Sequence, residues 1–333
     1  MRSPGIFLAL CAALAADAFY FARPAVKAAF AQDGKTNRLL EEVDPIREQK
    51  ELAARGFSKP IYGNDDRMDW GKIGDRRVKA VAAASVALFN NFGNYRLVEE
   101  ENEKLRLLAN TLEDEHRLCP GQRFLKQWSG AFCSGVLVGE DVVATAGHCI
   151  GEVAHTSSAV PLSDTRFVFG YTASDQQDPG RSLFDKKQVF AARELIGGKK
   201  LPNGEDWALV RLDRPVPKEI AEPVKKIRKT KIEDGAPIFA VGYPNGVPLK
   251  FAPGAEVRKN DSEIFFIANV DTFEGNSGSG VFSAATNELV GILTAGEIDY
   301  HRSKTALCNE AYLCPRDGCS GERVTRIEIV KIP

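Results

Sequence analysis

Short apolar segments separated by glycine- and proline-containing turns make up most of the chain after Cys119. In chain order they are 135–138, 142–146, 166–171, 188–191, 207–212, 237–242, 264–270, 280–282, 289–294 and 324–330. Many short strands with such turns are typical of an all-β sandwich or barrel. A charged, proline-containing stretch, residues 213–235, separates them into two groups. The pattern therefore predicts two β units with a cleft between them.

The pattern before Cys119 is different. Residues 81–89 are apolar, which fits either a buried strand or a short helix. Between Leu97 and Leu118, three leucines share one helical face and glutamates occupy the other. We therefore predict an amphipathic helix there, as an N-terminal helical insertion before the next strand.

The first residues have the features of an export signal. Arg2 precedes an apolar stretch, residues 6–16, that is too short to span a bilayer as a helix. Small-x-small triplets end at Ala18 and Ala31, so we assign residues 1–31 to a signal peptide and leave its cleavage site open. The polar residues 32–60 are predicted to be a leader or propeptide.

Composition and cysteine content narrow the function classes. The chain has 333 residues and a formal net charge of −1, which argues against a nucleic-acid or acidic membrane partner. Of its seven cysteines, one lies in the predicted signal. The other six are Cys119, Cys133, Cys149, Cys308, Cys314 and Cys319. An even number in an exported chain indicates disulfides, and hence a secreted or periplasmic protein.

A histidine, an aspartate and a serine that could together make the serine hydroxyl nucleophilic occur in this order along the chain. His148 lies in Thr-Ala-Gly-His-Cys, Asp206 begins Asp-Trp-Ala-Leu-Val-Arg-Leu, and Ser277 lies in Gly-Asn-Ser-Gly-Ser-Gly. A serine hydroxyl is a poor nucleophile unless a base takes its proton and a carboxylate orients that base. Asp141 and Asp213 remain alternatives to Asp206. The set predicts a Ser-His-Asp hydrolase.

The glycines around Ser277 have a role in the same chemistry. They allow a tight turn, so the amides of Gly275 and Ser277 could form an oxyanion hole. Each motif alone has an ordinary structural explanation: a histidine beside a disulfide, a turn aspartate, or a glycine- and serine-rich hairpin. Their joint occurrence in this order favours catalysis.

These motifs resemble those of the chymotrypsin-like serine peptidases, and specifically the secreted bacterial trypsin-like branch that includes V8-like glutamyl endopeptidases. The matching stretches are 61–67, 133–135, 145–149, 206–212 and 271–279. The resemblance implies two six-stranded antiparallel barrels with the active site in the cleft between them, and endopeptidase activity. With the division in the charged stretch 213–235, we assign 61–222 to an N-terminal segment, the helical insertion and the first barrel, and 223–333 to the second barrel.

The resemblance also implies a Cys133–Cys149 disulfide, while the other four cysteines allow three pairings. Asp271 stands six residues before Ser277, the spacing at which trypsin-like enzymes hold the pocket carboxylate. If it faces the pocket, Arg or Lys before the scissile bond is expected; alternatively, it is bound by a neighbour such as Arg67. The substrate is expected to contact three further residues, Thr294, Ala295 and Gly296.

Three departures from the family pattern limit what can be carried over. Asn276 replaces the aspartate that receives a newly freed amino terminus in the trypsin branch, so activation by that ion pair is not expected. Leu293 stands where glutamyl endopeptidases have a histidine for the substrate carboxylate. Phe273 occupies the position of a cysteine that braces the pocket in related enzymes.

No metal or cofactor is expected. Cys133, His148 and Cys149 could bind zinc, but no Cys-x-x-Cys pair occurs and exported cysteines usually oxidise. The expected partner is a protein or peptide substrate, bound by a monomer without a stable membrane anchor. Two alternatives remain: a non-catalytic peptide-binding pseudopeptidase, and an esterase that uses the same triad.

Overall fold

The computed structural model describes residues 60–333 except 94, 157, 158 and 297. The predicted signal peptide and the predicted leader up to residue 59 lie outside the described residues. Everything described belongs to a single unit of the chain. Among the helices in this part of the chain, none is both long and apolar enough to cross a membrane.

Strands dominate the described residues. Strands β1 to β22 are, in chain order, Ile61–Tyr62, Met68–Asp69, Ser85–Asn90, Arg96–Glu100, Lys104–Leu108, Asn110–Thr111, Trp128–Ser129, Ala131–Leu137, Val142–Thr145, Thr165–Phe169, Leu183–Asp185, Val189–Lys200, Asp206–Leu212, Pro237–Gly242, Lys250–Lys259, Phe265–Ala268, Gly280–Ser283, Leu289–Ala295, Tyr300–Arg302, Asn309–Ala311, Leu313–Cys314 and Glu322–Arg326. Helices α1 to α3 are Arg76–Ala83, Leu112–His116 and Gly151–Ala154. Single 3₁₀ turns occur at Trp70–Lys72, Gly147–Cys149, Leu162–Asp164, Lys186–Gln188, Pro244–Gly246 and Ile327–Ile329.

The first barrel is closed by six antiparallel strands in the order β3, β8, β9, β13, β12 and β10, with β10 returning to β3. Closure brings strands close together inside the barrel, and Gly135 of β8 marks one such approach. A Cβ at Gly135 would lie 2.8 Å from Val143 Cγ1 and 3.0 Å from Val86 Cγ1. This interior position therefore requires glycine.

The second barrel has the order β14, β17, β18, β22, β16 and β15, and a β14–β15 pairing closes it. The predicted all-β fold of two six-stranded antiparallel barrels is confirmed. The N-terminal strand β2 adds to β15 outside this ring. The apolar side chains of the two barrels are continuous: Tyr243 and Phe282 of the second pack into the core cluster of the first.

The amphipathic helix predicted between Leu97 and Leu118 is wrong for most of its length. Strands β4 and β5 form a hairpin there, and only α2 is helical. Asn102 and Glu103 form the turn with φ of +58° and +55°, values that end any right-handed helix. Leu97 and Leu107, which pair across the hairpin, are both buried. Leu105 and Leu108, two of the leucines on the predicted helical face, are three residues apart and therefore point to opposite faces of β5, where Leu108 is exposed.

Three disulfides use all six cysteines of the described chain. Cys133 is bonded to Cys149, the pair that the family resemblance implies. The remaining bonds are Cys119–Cys308 and Cys314–Cys319. The first of these joins the segment between β3 and β8 to the β19–β20 hairpin across 189 residues of sequence. Closing so long a loop restricts the unfolded chain strongly.

Candidate active site

His148 and Asp206 meet because their strands are neighbours. Strand β9 ends at Thr145, and β13 pairs with it from Ala208 onward, so the start of β13 lies beside the turn that carries His148. His148 Nδ1 is 2.9 Å from Asp206 Oδ2, and the His148 amide donates to Asp206 Oδ1 at 3.0 Å. The carboxylate thus holds both the ring and the backbone of the histidine.

Lys200 is a third member of this group that sequence reasoning missed. It lies opposite Asp206 in the β12–β13 ladder, and its Nζ is 2.6 Å from Asp206 Oδ2. Burial alone would raise the pKa of Asp206, but the His148 hydrogen bond and the nearby charges of His148 and Lys200 lower it to about 2. Asp206 is therefore an anion at every pH at which the protein would work. The sequence feature that could have pointed to Lys200 is the basic pair Lys199–Lys200, which ends β12 shortly before Asp206.

The Ser277 loop comes from the second barrel and rests on the first. Ser277 O accepts a hydrogen bond from the Ser134 amide at 2.7 Å, and Cys149 Sγ lies 3.7 Å from the same oxygen. The next residue, Gly278, has φ of +89°, and a Cβ there would lie 2.0 Å from Ser134 O. The structure therefore brings Ser277 against the turn that carries His148.

Gly275 has a left-handed backbone conformation that favours glycine. Its φ is +82°, and a Cβ there would lie 2.7 Å from Tyr243 O. Its carbonyl accepts from Ser134 Oγ at 2.7 Å, which fixes the peptide plane. Within the part of the chain that the structure describes, the Gly275 amide donates to no acceptor. It is thus available to bind an oxyanion, as the sequence predicts.

Asp271 is held by the N-terminal segment. Its buried Oδ1 accepts from the Tyr62 amide at 2.7 Å, and Arg67 lies close enough to interact electrostatically. Burial raises its pKa to about 7, against the lowering effects of the Tyr62 amide and the Arg67 charge. The two expectations for Asp271, a pocket carboxylate or a residue bound by neighbours, are therefore not mutually exclusive.

Glu322 is a second buried carboxylate that the sequence did not reveal. Its side chain lies at the start of β22 and accepts from Thr272 Oγ1 at 2.7 Å. A Cβ at Gly296 would lie 2.1 Å from Glu322 Oε2, so the carboxylate lies directly against that glycine. Tyr62 connects both acids, because its hydroxyl lies 3.5 Å from Glu322 Oε1. A single glutamate at the start of a strand, outside any recognised motif, carries no sequence signal.

The other predicted substrate-binding residues differ in orientation. Thr294 is buried, and its hydroxyl donates to Arg323 O at 3.3 Å. This hydrogen bond stabilises the contact between β18 and β22. Ala295 and Gly296 follow at the half-buried end of β18. Among the family departures, Asn276 Oδ1 accepts from Ser279 Oγ at 3.0 Å, and Leu293 is fully buried in the second core. Neither side chain is directed at a substrate.

The possible zinc group, Cys133, His148 and Cys149, does lie together in space. However, the two sulfur atoms are bonded to each other, so neither is the thiolate that zinc requires. The group is therefore a disulfide beside a histidine.

Parts of the chain are similar to known proteins. Residues 133–292, which include His148, Asp206 and Ser277, match the family described as trypsin-like peptidase domain. Granzyme M of Rattus norvegicus is 32% identical over 109 residues, 32% of this chain, and the match spans only 37% of the length of that curated relative. A solved structure of Glu endopeptidase in complex with MPD covers 80% of this chain and 93% of its own, at 16% identity and a TM-score of 0.45.

Proposed function

We propose that the chain is an exported serine endopeptidase, a proposal supported by the match of residues 133–292 to the family described as trypsin-like peptidase domain. One observation carries the proposal: the 2.9 Å contact of His148 Nδ1 with Asp206 lies beside the loop of Ser277. The three disulfides support export, since such bonds persist in oxidising compartments. The substrate is a protein or peptide.

The mechanism follows from the hydrogen bonds of the site. Asp206 orients His148 through Nδ1, which leaves the other ring nitrogen to take the proton of Ser277. Ser277 Oγ attacks the peptide carbonyl, and the oxyanion is bound by the amides of Gly275 and Ser277. His148 then donates its proton to the leaving amine. Water hydrolyses the acyl-enzyme, again with His148 as base.

Labelling with a fluorophosphonate tests this proposal. We expect the wild-type protein to be labelled and Ser277→Ala to be unlabelled while its circular dichroism is unchanged. Ser279→Ala is the matched control in the same loop and should remain labelled. Absence of labelling in processed wild-type protein would favour the peptide-binding pseudopeptidase. Turnover of esters without peptide cleavage would favour the esterase.

For specificity, we propose that Asp271 and Glu322 together favour Arg or Lys before the scissile bond. Both are buried carboxylates joined through Tyr62. Glu322→Gln should lower kcat/KM for such peptides by about 10- to 100-fold, because a hydrogen bond to a charged group contributes about 1.5–3 kcal/mol. Since the pKa of Asp271 is about 7, its charge appears above that pH, and the preference for cationic over neutral peptides should rise from pH 6 to pH 8.

Steady-state kinetics with matched arginyl, lysyl and norleucyl peptides check this prediction. Asp271→Asn should remove the rise with pH, and Glu263→Gln, on an exposed side chain, should change nothing. Equal losses for cationic and neutral peptides in Glu322→Gln would contradict a role in specificity.

A further inference from the structure

A groove of about 680 Å³ lies between the hairpin β4–β5 and the first barrel, and it contains no residue of the candidate active site. Strand β4 lines one side, as an edge strand of the sheet β11–β5–β4. Residues of β10 and β12 line the other side. The wall formed by β10 and β12 belongs to the closed first barrel, and the strand pairing of that barrel fixes its shape.

The rim of the groove carries three cations that form no ion pair within the described residues, although Asp185 interacts electrostatically with Lys187. Arg96 donates only to Gly93 O, and Arg166 donates to the carbonyls of Ser163 and Thr165 at 2.9 and 3.1 Å. In the described part of the chain, no carboxylate lies within ion-pair distance of Arg96, Arg166 or Lys187.

The two acids of the groove are already engaged. Asp213 Oδ2 is 2.9 Å from Arg214 Nη1, and Glu99 Oε1 is 3.4 Å from Lys186 Nζ. Arg96, Arg166 and Lys187 therefore give the groove a net positive potential, which favours the binding of an anionic ligand.

The floor of the groove is apolar. Leu97, Leu105 and Val189 line it, and the Phe190 ring lies 4.0 Å beneath the Arg214 guanidinium. A phosphate or a sulfated polysaccharide would use the cations but not this floor. A ligand that satisfies both combines carboxylates with apolar side chains.

An edge strand adds a third form of recognition. The outer side of β4 is not paired with another strand in the described residues, so its backbone groups can bond an extended chain. In a strand, side chains alternate between two faces. A peptide that alternates acidic and apolar residues would thus direct one set to the rim and the other to the floor.

We propose that this groove is an exosite for an extended acidic peptide segment with alternating apolar side chains, located in the protein substrate away from the scissile bond. The proposal rests on the proposed endopeptidase function for its biological meaning, but binding itself does not require catalysis. Because the groove shares no residue with the candidate active site, it should affect KM for long substrates and leave the turnover of short peptides unchanged.

Fluorescence anisotropy with a labelled Glu-Leu-Asp-Leu-Glu peptide, and with its Gln-Leu-Asn-Leu-Gln analogue, tests the exosite. The triple variant Arg96→Gln, Arg166→Gln, Lys187→Gln should weaken binding of the acidic peptide by at least about tenfold, since all three cations are lost. The control triple Lys218→Gln, Lys229→Gln, Lys259→Gln removes the same net charge elsewhere and should bind as wild type. Circular dichroism and thermal melts verify that both variants fold.

Equal losses in the two triple variants would overturn the proposal, because binding would then reflect net charge alone. Equal affinity for the amide analogue would also overturn it. Full displacement of the peptide by heparin, with heparin binding more tightly, would assign the groove to a polysaccharide instead. Fluorophosphonate labelling of Ser277 in the groove variant reports the catalytic proposal separately, so the two can fail independently.

Discussion

Replacing Asp206 by asparagine should lower kcat by about 10⁴-fold without unfolding the protein. The carboxylate accepts from both Nδ1–H and the amide of His148 at 2.9 and 3.0 Å. An asparagine amide would offer a donor toward Nδ1 and stabilise the wrong tautomer, in which the nitrogen facing Ser277 carries the proton. The imidazolium formed during attack would also lose its anion. Single-turnover kinetics on a peptide, beside a burst assay on an ester, measures the effect.

The control for this prediction is Lys200→Met, which removes the other partner of Asp206. The lysine stabilises the carboxylate but contacts neither His148 nor Ser277 in the contacts described above. We expect kcat at pH 8 to change by less than about tenfold, because the orienting hydrogen bonds remain. Activity of Asp206→Asn within tenfold of wild type would refute the assigned role.

Replacing Lys250 by methionine should lower the free energy of unfolding by about 3–5 kcal/mol, the range for breaking one side of a buried ion pair. Lys250 and Asp69 are almost completely buried, with Nζ 2.8 Å from Oδ1. Nζ also donates to Gln127 Oε1 at 2.7 Å and to Pro248 O at 2.6 Å. Burial lowers the pKa of Lys250 to about 8, even though Asp69 lies beside it. Keeping the lysine ammonium group charged in the interior therefore already costs free energy. Its removal leaves the Asp69 carboxylate buried without a cation.

Urea denaturation at pH 7 measures this loss, with an unchanged m-value as the check for two-state unfolding. The double variant Lys250→Met, Asp69→Leu should recover most of the stability, because it removes both buried charges. A loss below about 1 kcal/mol in the single variant would contradict the prediction. The ion pair also joins β2 of the N-terminal segment to β15, because Asp69 lies opposite Lys250 in that pairing.

Most barrel strands could be predicted because their apolar runs are short and bounded by turns. Strand β14 coincides with the predicted 237–242, and β13 extends the predicted 207–212 by Asp206 alone. Strand β15 was missed, because Pro253 and Gly254 within it are typical of a turn. The strand tolerates them where its pairing with β14 is irregular, between Ile238 and Ala240. Local sequence could not reveal that irregularity.

The helix predicted between Leu97 and Leu118 failed for a related reason. The helical spacing of its leucines does not fit the strand period, and the strand was selected instead by β11, which pairs with β5, and by the core that buries Leu97 and Leu107. Neither partner is adjacent in sequence. When local patterns are ambiguous, the burial supplied by distant segments decides the secondary structure.

By itself, the sequence determined the fold class and indicated the chemistry: short apolar segments bounded by turns predicted two β units, and the three motifs at His148, Asp206 and Ser277 indicated serine chemistry. These signals are local, because a catalytic turn requires particular residues next to one another. Only the tertiary structure decided that Lys200 contacts Asp206, that Glu322 lies against Gly296, and that Tyr62 connects two buried acids. Such contacts join residues far apart in the chain or on separate strands, and they become visible only when the barrels have closed and removed the charges from water.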